Sequence, residues 1–180
     1  MILPIASLLL ALALPSAATS PPSPLPKKPP VNCADAAHRA FDFWLGGWNV
    51  TDTKSGVPIA SSKVETIAEQ CAIRETYTQA IGPDGKPITY LGTSYSALNT
   101  ADGTWRQFYV DTGGAALSYS GGFKDGAMVL TALAANVGTR MTVRAQADGS
   151  VRQSGEITQD SGATWAPGYD FTYRHPDSKK

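Results

Sequence analysis

The residue types that carry most enzyme chemistry are sparse in this chain. His38 and His175 are its two histidines, and the sequence has no Gly-x-Ser-x-Gly, no His-Glu-x-x-His and no phosphate-binding glycine loop. We therefore expect no metal and no cofactor, and the sequence assigns no catalytic residue. His38 as a haem or metal ligand is one interpretation, but a lone histidine beside Arg39 is more typical of a surface or capping residue.

One carboxylate has a pattern that differs from the others. Five of the fifteen acidic residues look like turn residues: Asp84, Asp102, Asp125, Asp148 and Asp160. Glu75 instead shares a strand face with Ile73 and Tyr77 and can therefore point inward. An inward carboxylate either pairs with a core arginine or forms part of a site with a shifted pKa. Asp111 is a second candidate for acid/base chemistry.

Aromatic residues alternate along the predicted strands and could line a cavity. Trp105, Gln107 and Tyr109 share one strand face, and the opposite face carries Arg106, Phe108 and Val110. Aromatic walls with a few polar groups are typical of small-ligand pockets, but ordinary core packing explains the pattern equally well. The candidate ligand-binding residues are Glu75, Tyr77, Tyr95, Trp105, Gln107 and Tyr109.

The elements that must position these residues are short strands separated by turns. Asp-Gly pairs recur at positions 84, 102, 125 and 148, as in type I′ hairpins. The intervening segments predict strands at 47–53, 57–68, 72–81, 87–97, 104–111, 115–121, 127–134, 138–147, 150–159 and 165–174. We predict an all-β fold, an antiparallel up-and-down barrel of about ten strands. A two-sheet sandwich is the alternative.

A short N-terminal helix is expected across one end of this barrel. Ala37, Phe41, Trp44 and Leu45 have helical spacing within residues 34–45, and the glycines at 46 and 47 end the pattern. In lipocalins and other calycins, a Gly-x-Trp at this place puts an indole at the closed end, covered by a basic side chain from the last strand. By this resemblance Trp48 and Arg174 would have structural roles.

Residues 158–165 resemble the Asp-box, Ser/Thr-x-Asp-x-Gly-x-x-Trp, of sialidases and other β-propellers. Propellers repeat this motif, whereas this chain has one copy and is too short for a propeller. We therefore interpret it as a self-contained turn in which Asp160 and Trp165 are structural, rather than as a sign of sialidase activity.

A longer stretch carries a family resemblance. Residues 38–50 read HRAFDFWLGGWNV, and further matches lie at 71–75, 105–111, 148–153 and 162–165. They resemble a bacterial family of secreted proteins of unknown function with the signature H-R-x-F-D-F-W-L-G-x-W. The resemblance implies a lipocalin-like or calycin-like β fold and supplies no activity. Thr76-Tyr77 departs from the family pattern, which has x-Trp after the glutamate.

The N-terminus predicts export to the periplasm or medium. Residues 3–14 form a predominantly apolar run, about the length of a signal-peptide core, and Ser16 and Ala18 suit cleavage after residue 18. A buried N-terminal helix is the alternative. Residues 19–32 are rich in proline and predict a disordered leader, or a ligand for a proline-binding module. The folded domain is then 33–176, with a disordered tail at 177–180.

Cys33 and Cys71 are the chain's two cysteines. In an oxidising compartment such a pair most simply forms a disulfide, although free thiols remain an alternative. The cross-link would close a loop of 38 residues, which the chain-entropy model values at about 3–4 kcal/mol.

Charge excludes some partners. The 15 basic and 15 acidic residues balance, which argues against nucleic acid and, after signal cleavage, against a membrane surface. Three hypotheses remain: a barrel that binds a small, partly apolar or aromatic molecule, a hydrolase or isomerase that uses Glu75 or Asp111, and a protein-interaction module. A binder needs an open lumen, an enzyme needs converging titratable groups, and an interaction module needs a filled lumen with an exposed apolar patch.

Overall fold

The computed structural model describes residues 32–82 and 84–176. The predicted signal peptide, most of the proline-rich leader and the C-terminal tail lie outside the described residues. Ten antiparallel strands form a closed barrel in which each strand pairs with its neighbours in sequence and the first pairs with the last. The strands are β1 (Gly46–Asp52), β2 (Pro58–Ile67), β3 (Ala72–Ile81), β4 (Pro87–Asn99), β5 (Thr104–Asp111), β6 (Ala116–Lys124), β7 (Ala127–Ala134), β8 (Val137–Ala145), β9 (Val151–Thr158) and β10 (Ala166–Arg174).

The all-β class and the closed barrel are confirmed, and with them the strand positions to within a few residues. The turn chemistry explains this agreement. Asp125 and Gly126 both have positive φ, as a type I′ hairpin requires, whereas at 85, 103 and 149 only the glycine does. Turn residues thus mark the strand ends even where the turn type differs from the expected one.

The predicted helix at 34–45 is not formed. The segment instead makes hydrogen-bonded turns, followed by a 3₁₀ helix at Asp42–Trp44. Asp35 caps the first turn through the amides of Ala37 and His38. Among the described residues, no helix is long and apolar enough to cross a membrane.

A disulfide joins Cys33 to Cys71, as predicted, with 5.0 Å between the Cα atoms. It anchors the N-terminal segment to the start of β3. The Arg39 guanidinium adds a second tie by donating a hydrogen bond of 3.0 Å to the Gln70 carbonyl. These links hold the segment against the end of the barrel that carries the β2–β3 hairpin.

The N-terminal segment plugs this end with aromatic side chains. Phe41 and Trp44 are fully buried and stack at 4.9 Å between ring centroids. Phe41 also meets Trp105 edge-on at 5.7 Å, and the Trp48 indole donates to the Trp44 carbonyl. The main hydrophobic core therefore lies at the closed end and leaves the other half of the lumen for different chemistry.

The prediction that Arg174 covers Trp48 is wrong by one position. His175 stacks on the Trp48 indole at 3.9 Å, while Arg174 forms an ion pair with Asp148 at 2.8 Å. The alternation of the strand explains the error: Tyr173 points inward, so Arg174 must point outward. Gly46 allows the stack because a Cβ there would lie 2.6 Å from the His175 ring.

The Asp-box residues form a local turn between β9 and β10. Asp160 Oδ1 accepts hydrogen bonds from the Thr164 amide and the Thr158 hydroxyl, at 2.8 and 2.7 Å. The Trp165 indole donates to the Gly162 carbonyl, and the Arg140 guanidinium lies 4.4 Å from the centre of its ring. Asp160 and Trp165 therefore stabilise the turn, and neither side chain lines the lumen.

Candidate functional site

A cavity of about 360 Å³ occupies the open half of the barrel. It lies toward the end that carries the β3–β4 and β5–β6 hairpins, opposite the aromatic plug. Fifteen of its sixteen lining residues belong to seven strands, β3–β6 and β8–β10, and Ala115 lies in the β5–β6 hairpin. The lining residues are Glu75, Tyr77, Gln79, Tyr90, Gln107, Tyr109, Asp111, Ala115, Leu117, Tyr119, Thr139, Met141, Gln153, Tyr169, Phe171 and Tyr173.

Tyrosine dominates this wall. The chain has seven tyrosines, and six of them line the cavity. The rings of Tyr77 and Phe171 lie nearly parallel at 6.4 Å, and Tyr169 stacks on Phe171 at 4.8 Å. The result is an aromatic surface with hydroxyl groups distributed over it, which suits a ligand that is partly apolar.

Glu75 lies within this aromatic wall. Its side chain points inward from the middle of β3, and the residue is only 6% exposed. The Ser62 hydroxyl donates to its Oε1 at 2.8 Å, and the Tyr173 hydroxyl lies 3.4 Å from the same oxygen. Both contacts fall on Oε1, so the described residues provide Oε2 with no hydrogen-bond donor.

Within the described residues no arginine pairs with Glu75, so the core ion pair considered from the sequence is wrong. The adjacent Arg74 points outward and pairs with Glu65. Burial without a cation raises the pKa of Glu75 from 4.5 to about 7, although the hydrogen bonds from Ser62 and Tyr173 oppose the shift. Glu75 can therefore exchange a proton near neutral pH.

A short chain of polar groups continues from Glu75. The Tyr173 hydroxyl donates to Gln153 Oε1 at 2.6 Å, and the Gln153 amide in turn contacts the Met141 sulfur at 2.8 Å. Because Tyr173 has a single hydroxyl proton and Gln153 is the nearer acceptor, Glu75 receives one short hydrogen bond, from Ser62. This sparse hydrogen bonding accords with the raised pKa of Glu75.

A second polar cluster lies nearer the mouth. The Tyr90 hydroxyl donates to Asp111 Oδ2 at 2.7 Å and also contacts the Tyr109 hydroxyl. Asp111 Oδ1 accepts from the amides of Gly113 and Ala115, at 2.8 and 3.1 Å. Asp111 thus fixes the β5–β6 hairpin and orients the two phenols.

Hydrogen bonds and burial determine the protonation states of this second cluster. Burial would raise the pKa of Asp111, but the bonds from Tyr90, Ala115 and Gly113 hold it below 3.8. Burial, reinforced by the nearby Asp111 carboxylate, raises the pKa of Tyr90 to about 12. Burial likewise raises that of Tyr109. At neutral pH this cluster is one carboxylate with two neutral phenols.

The structure brings four of the six candidate ligand-binding residues together in the cavity: Glu75, Tyr77, Gln107 and Tyr109. Trp105 points inward but lies at the closed end against Phe41, where it belongs to the core. Tyr95 points outward and is 48% exposed beside Phe108, its cross-strand partner. Its assignment to the lumen is wrong because Ser94 and Ser96 occupy the inward positions of β4.

Several lining residues were missed from the sequence. The largest group is on β10, where Tyr169, Phe171 and Tyr173 alternate on the inward face. That alternation is visible in the sequence and could have identified them. Gln153 and Tyr119 lie on strands with weaker patterns, and only the barrel's closure brings them to the cavity.

The histidines lie away from this cavity. His38 donates within its own turn, where its amide and Nδ1 lie 3.1 and 2.6 Å from the two oxygens of the Asp35 carboxylate. Asp35 is the capping residue here, and His38 is its buried partner, 8% exposed, rather than a surface or capping residue. In residues 32–82 and 84–176, no group of three or more His, Cys, Asp or Glu side chains could hold a metal ion.

Comparison with known proteins returned no family model that matches the chain and no curated protein that matches it.

Proposed function

We propose that this chain is an exported barrel protein that binds a small, partly apolar molecule in its lumen. The observation that carries the proposal is the distribution of tyrosine: six of the chain's seven tyrosine side chains line one cavity, together with Phe171. Aromatic side chains also fill the plugged end, but there Phe41 and Trp44 pack against each other with no exposed surface, whereas the tyrosine rings line open space. Rings with hydroxyl groups supply both an apolar surface and hydrogen bonds.

The size of the cavity limits the ligand. Its volume of 360 Å³ falls at the lower end of small-molecule pockets, which span roughly 300–1,000 Å³. At about 30 Å³ per water molecule in the liquid, this volume corresponds to about a dozen waters. A ligand of about a dozen non-hydrogen atoms would therefore fill it.

Export and family membership belong to the same proposal. The disulfide supports an oxidising compartment, either the periplasm or the medium, and the apolar run at 3–14 supplies the signal. The H-R-x-F-D-F-W-L-G-x-W resemblance supports a place in the secreted, lipocalin-like family. The closed up-and-down barrel is the architecture that such a family would have.

Native mass spectrometry of the full chain, purified from its own host, tests the proposal. We expect a mass above that of the polypeptide, which falls to the polypeptide mass when the protein is denatured. A polypeptide mass under native conditions, together with no uptake of the neutral probe 2-phenylethanol, would contradict it.

A matched pair of glycine variants connects that ligand to the cavity. A Cβ at Gly155 would lie 2.1 Å from the Tyr169 ring, so Gly155→Ala should displace this ring and reshape the cavity wall. Gly47→Ala adds the same methyl group where no atom lies within 4 Å. We expect Gly155→Ala to lose the bound mass and Gly47→Ala to keep it. Retention in both variants would place the ligand elsewhere.

A second candidate function is acid/base catalysis on the bound molecule. Glu75 favours it, because a carboxyl group with a pKa of about 7 can accept and return a proton near neutral pH. Asp111 lines the same cavity, but its oxygens are occupied by Tyr90 and two backbone amides. In this case Glu75→Gln should abolish turnover of a bound hydrolase or isomerase substrate and keep its binding, and unchanged turnover would exclude the role.

The interaction-module hypothesis is the least supported of the three. It requires a filled lumen, whereas this lumen is open. Exposed apolar side chains favour it, among them the outward pair Tyr95 and Phe108, which are 48% and 50% exposed, and also Leu133, Val137 and Ile157.

A further inference from the structure

The charges that line the cavity have one sign. Glu75 and Asp111 are acidic, and none of the lining residues is Lys, Arg or His. The chain as a whole has equal numbers of acidic and basic residues, so the asymmetry is specific to the cavity. Five of the six arginines of the barrel strands pair instead with acidic groups at the outer surface, as Arg74 does with Glu65 and Arg152 with Asp170.

The two acidic groups differ in what they can offer a ligand. Asp111 is engaged through both oxygens, by Tyr90 and by the backbone of its own hairpin. Glu75 is 6% exposed, and its contacts with the Ser62 and Tyr173 hydroxyls, at 2.8 and 3.4 Å, both fall on Oε1. Its Oε2 is therefore an acceptor without a donor from the described residues, on a side chain that lines the cavity. A carboxylate oxygen of this kind favours a ligand that brings a donor.

The neighbouring rings favour a particular kind of donor. Tyr77 and Phe171 lie roughly parallel, with an interplanar angle of 14°, and Tyr169 continues the stack at 24°. Tyr77 is two residues from Glu75 on the same face of β3. The faces of aromatic rings carry negative potential and attract organic cations within about 6 Å.

From these observations we propose that the lumen binds a small organic cation, an amine or quaternary ammonium with an apolar body, whose charged end lies at Glu75. The inference rests on the proposed ligand-binding function and names its ligand class. It also explains why the cavity contains no basic side chain, since a lysine or arginine there would occupy the site in place of the ligand. Anionic ligands such as fatty acids would face an unpaired carboxylate and no counter-charge.

A consequence is that binding should depend on pH through Glu75. The polar contacts of Glu75 are Ser62 on β2 and Tyr173 on β10, and Ser94 is its inward neighbour on β4. Tyr77 and Tyr169 lie near enough to interact with its charge. None of them is basic, and burial raises the pKa values of the three tyrosines, so they stay neutral through the range tested. Because the pKa of Glu75 is about 7, we expect affinity for an amine to fall about tenfold from pH 8 to pH 6.

Three probes of nearly equal shape test the ligand class: 2-phenylethylamine, 2-phenylethanol and phenylacetate. Isothermal titration calorimetry of the full mature chain at pH 8 should show the amine binding at least tenfold more tightly than the alcohol, with phenylacetate weakest. Amine and alcohol affinities within twofold of each other would overturn the inference and leave the proposed function intact. Binding by none of the three would contradict both.

A matched pair of variants tests whether Glu75 is the carboxylate that pairs with the charged end of the ligand. Glu75→Gln keeps the shape and removes the carboxylate, so the amine should lose its advantage over the alcohol while the alcohol's own affinity stays within threefold. Glu65→Gln removes a carboxylate from the outer surface, where it pairs with Lys63 and Arg74, and should preserve the tenfold preference. A preference that survives in Glu75→Gln would overturn the assignment of this residue.

Discussion

Replacement of Glu75 by glutamine should stabilise the protein, and the gain should grow with pH. In the unfolded chain this carboxyl group ionises near its ordinary pKa of 4.5, whereas burial raises the value to about 7 in the folded barrel. The folded state therefore holds an extra proton between these values, and its stability falls as pH rises through this window. Glutamine resembles the neutral form and carries no such penalty.

The size of the effect follows from the two pKa values. Each unit of difference between folded and unfolded pKa is worth about 1.4 kcal/mol, so the full penalty is about 3 kcal/mol. It is absent below pH 4.5, grows through pH 5–7 and is complete above pH 7. Relative to its value at pH 4.5, the advantage of Glu75→Gln in unfolding free energy should therefore reach about 3 kcal/mol at pH 8.

Urea denaturation of the two proteins from pH 4.5 to 8.5 measures this difference directly. Glu65→Gln serves as control, because hydrogen bonds from Lys63 and Arg74 hold the pKa of Glu65 below 4.5. Above pH 4.5, Glu65→Gln should therefore be less stable than the parent protein, not more stable. If the free energies of the parent and Glu75→Gln run parallel across the whole range, the reasoning about burial of Glu75 is refuted.

Three further predictions concern the framework. Reduction of the disulfide between Cys33 and Cys71 should lower the unfolding free energy by about 3–4 kcal/mol in urea melts, and equal stability of both forms would contradict its role. Phe41→Ala should lower the unfolding free energy by about 3–5 kcal/mol in the same urea melts, because the side chain is fully buried against Trp44. A loss below 1 kcal/mol would show that the aromatic plug is not needed for stability. Hydrogen bonds from Thr164 lower the pKa of Asp160 to about 2. The melting temperature of the parent should therefore exceed that of Asp160→Asn at pH 4, and this difference should shrink as the pH falls to 2. A constant difference in melting temperature would count against this role of the carboxylate.

The strands were predictable because local chemistry defines where each one ends. Glycines that follow Asp84, Asp102, Asp125 and Asp148 adopt positive φ, and the chain reverses at each of them. Barrel closure followed from strand number, since a ten-stranded meander leaves two unpaired edges unless β1 meets β10.

The N-terminal segment was not predictable from its helical spacing. Its conformation is set by distant partners: Cys33 is bonded to Cys71, and Arg39 donates to the Gln70 carbonyl. Phe41 and Trp44 must also enter the barrel end together. Tertiary contacts of this kind override a weak local preference for helix.

The candidate site was predictable in part, and the errors have one cause. Tyr90 and Tyr95 are five residues apart on β4, so they lie on opposite faces, and the pattern of that strand alone does not say which face is inward. Arg174 and His175 present the same problem beside Trp48. Glu75 and Tyr77 were identified because Ile73 marks their face as buried.

The central claim, that the lumen is the binding site, is tested most directly by the seven tyrosines themselves. In protein with ¹³C-labelled tyrosine rings, titration with 2-phenylethylamine should shift the ring signals of the six lumen tyrosines in NMR spectra. The signal of Tyr95 on the outer surface should stay in place. Shifts at Tyr95 with unmoved lumen signals would contradict the claim.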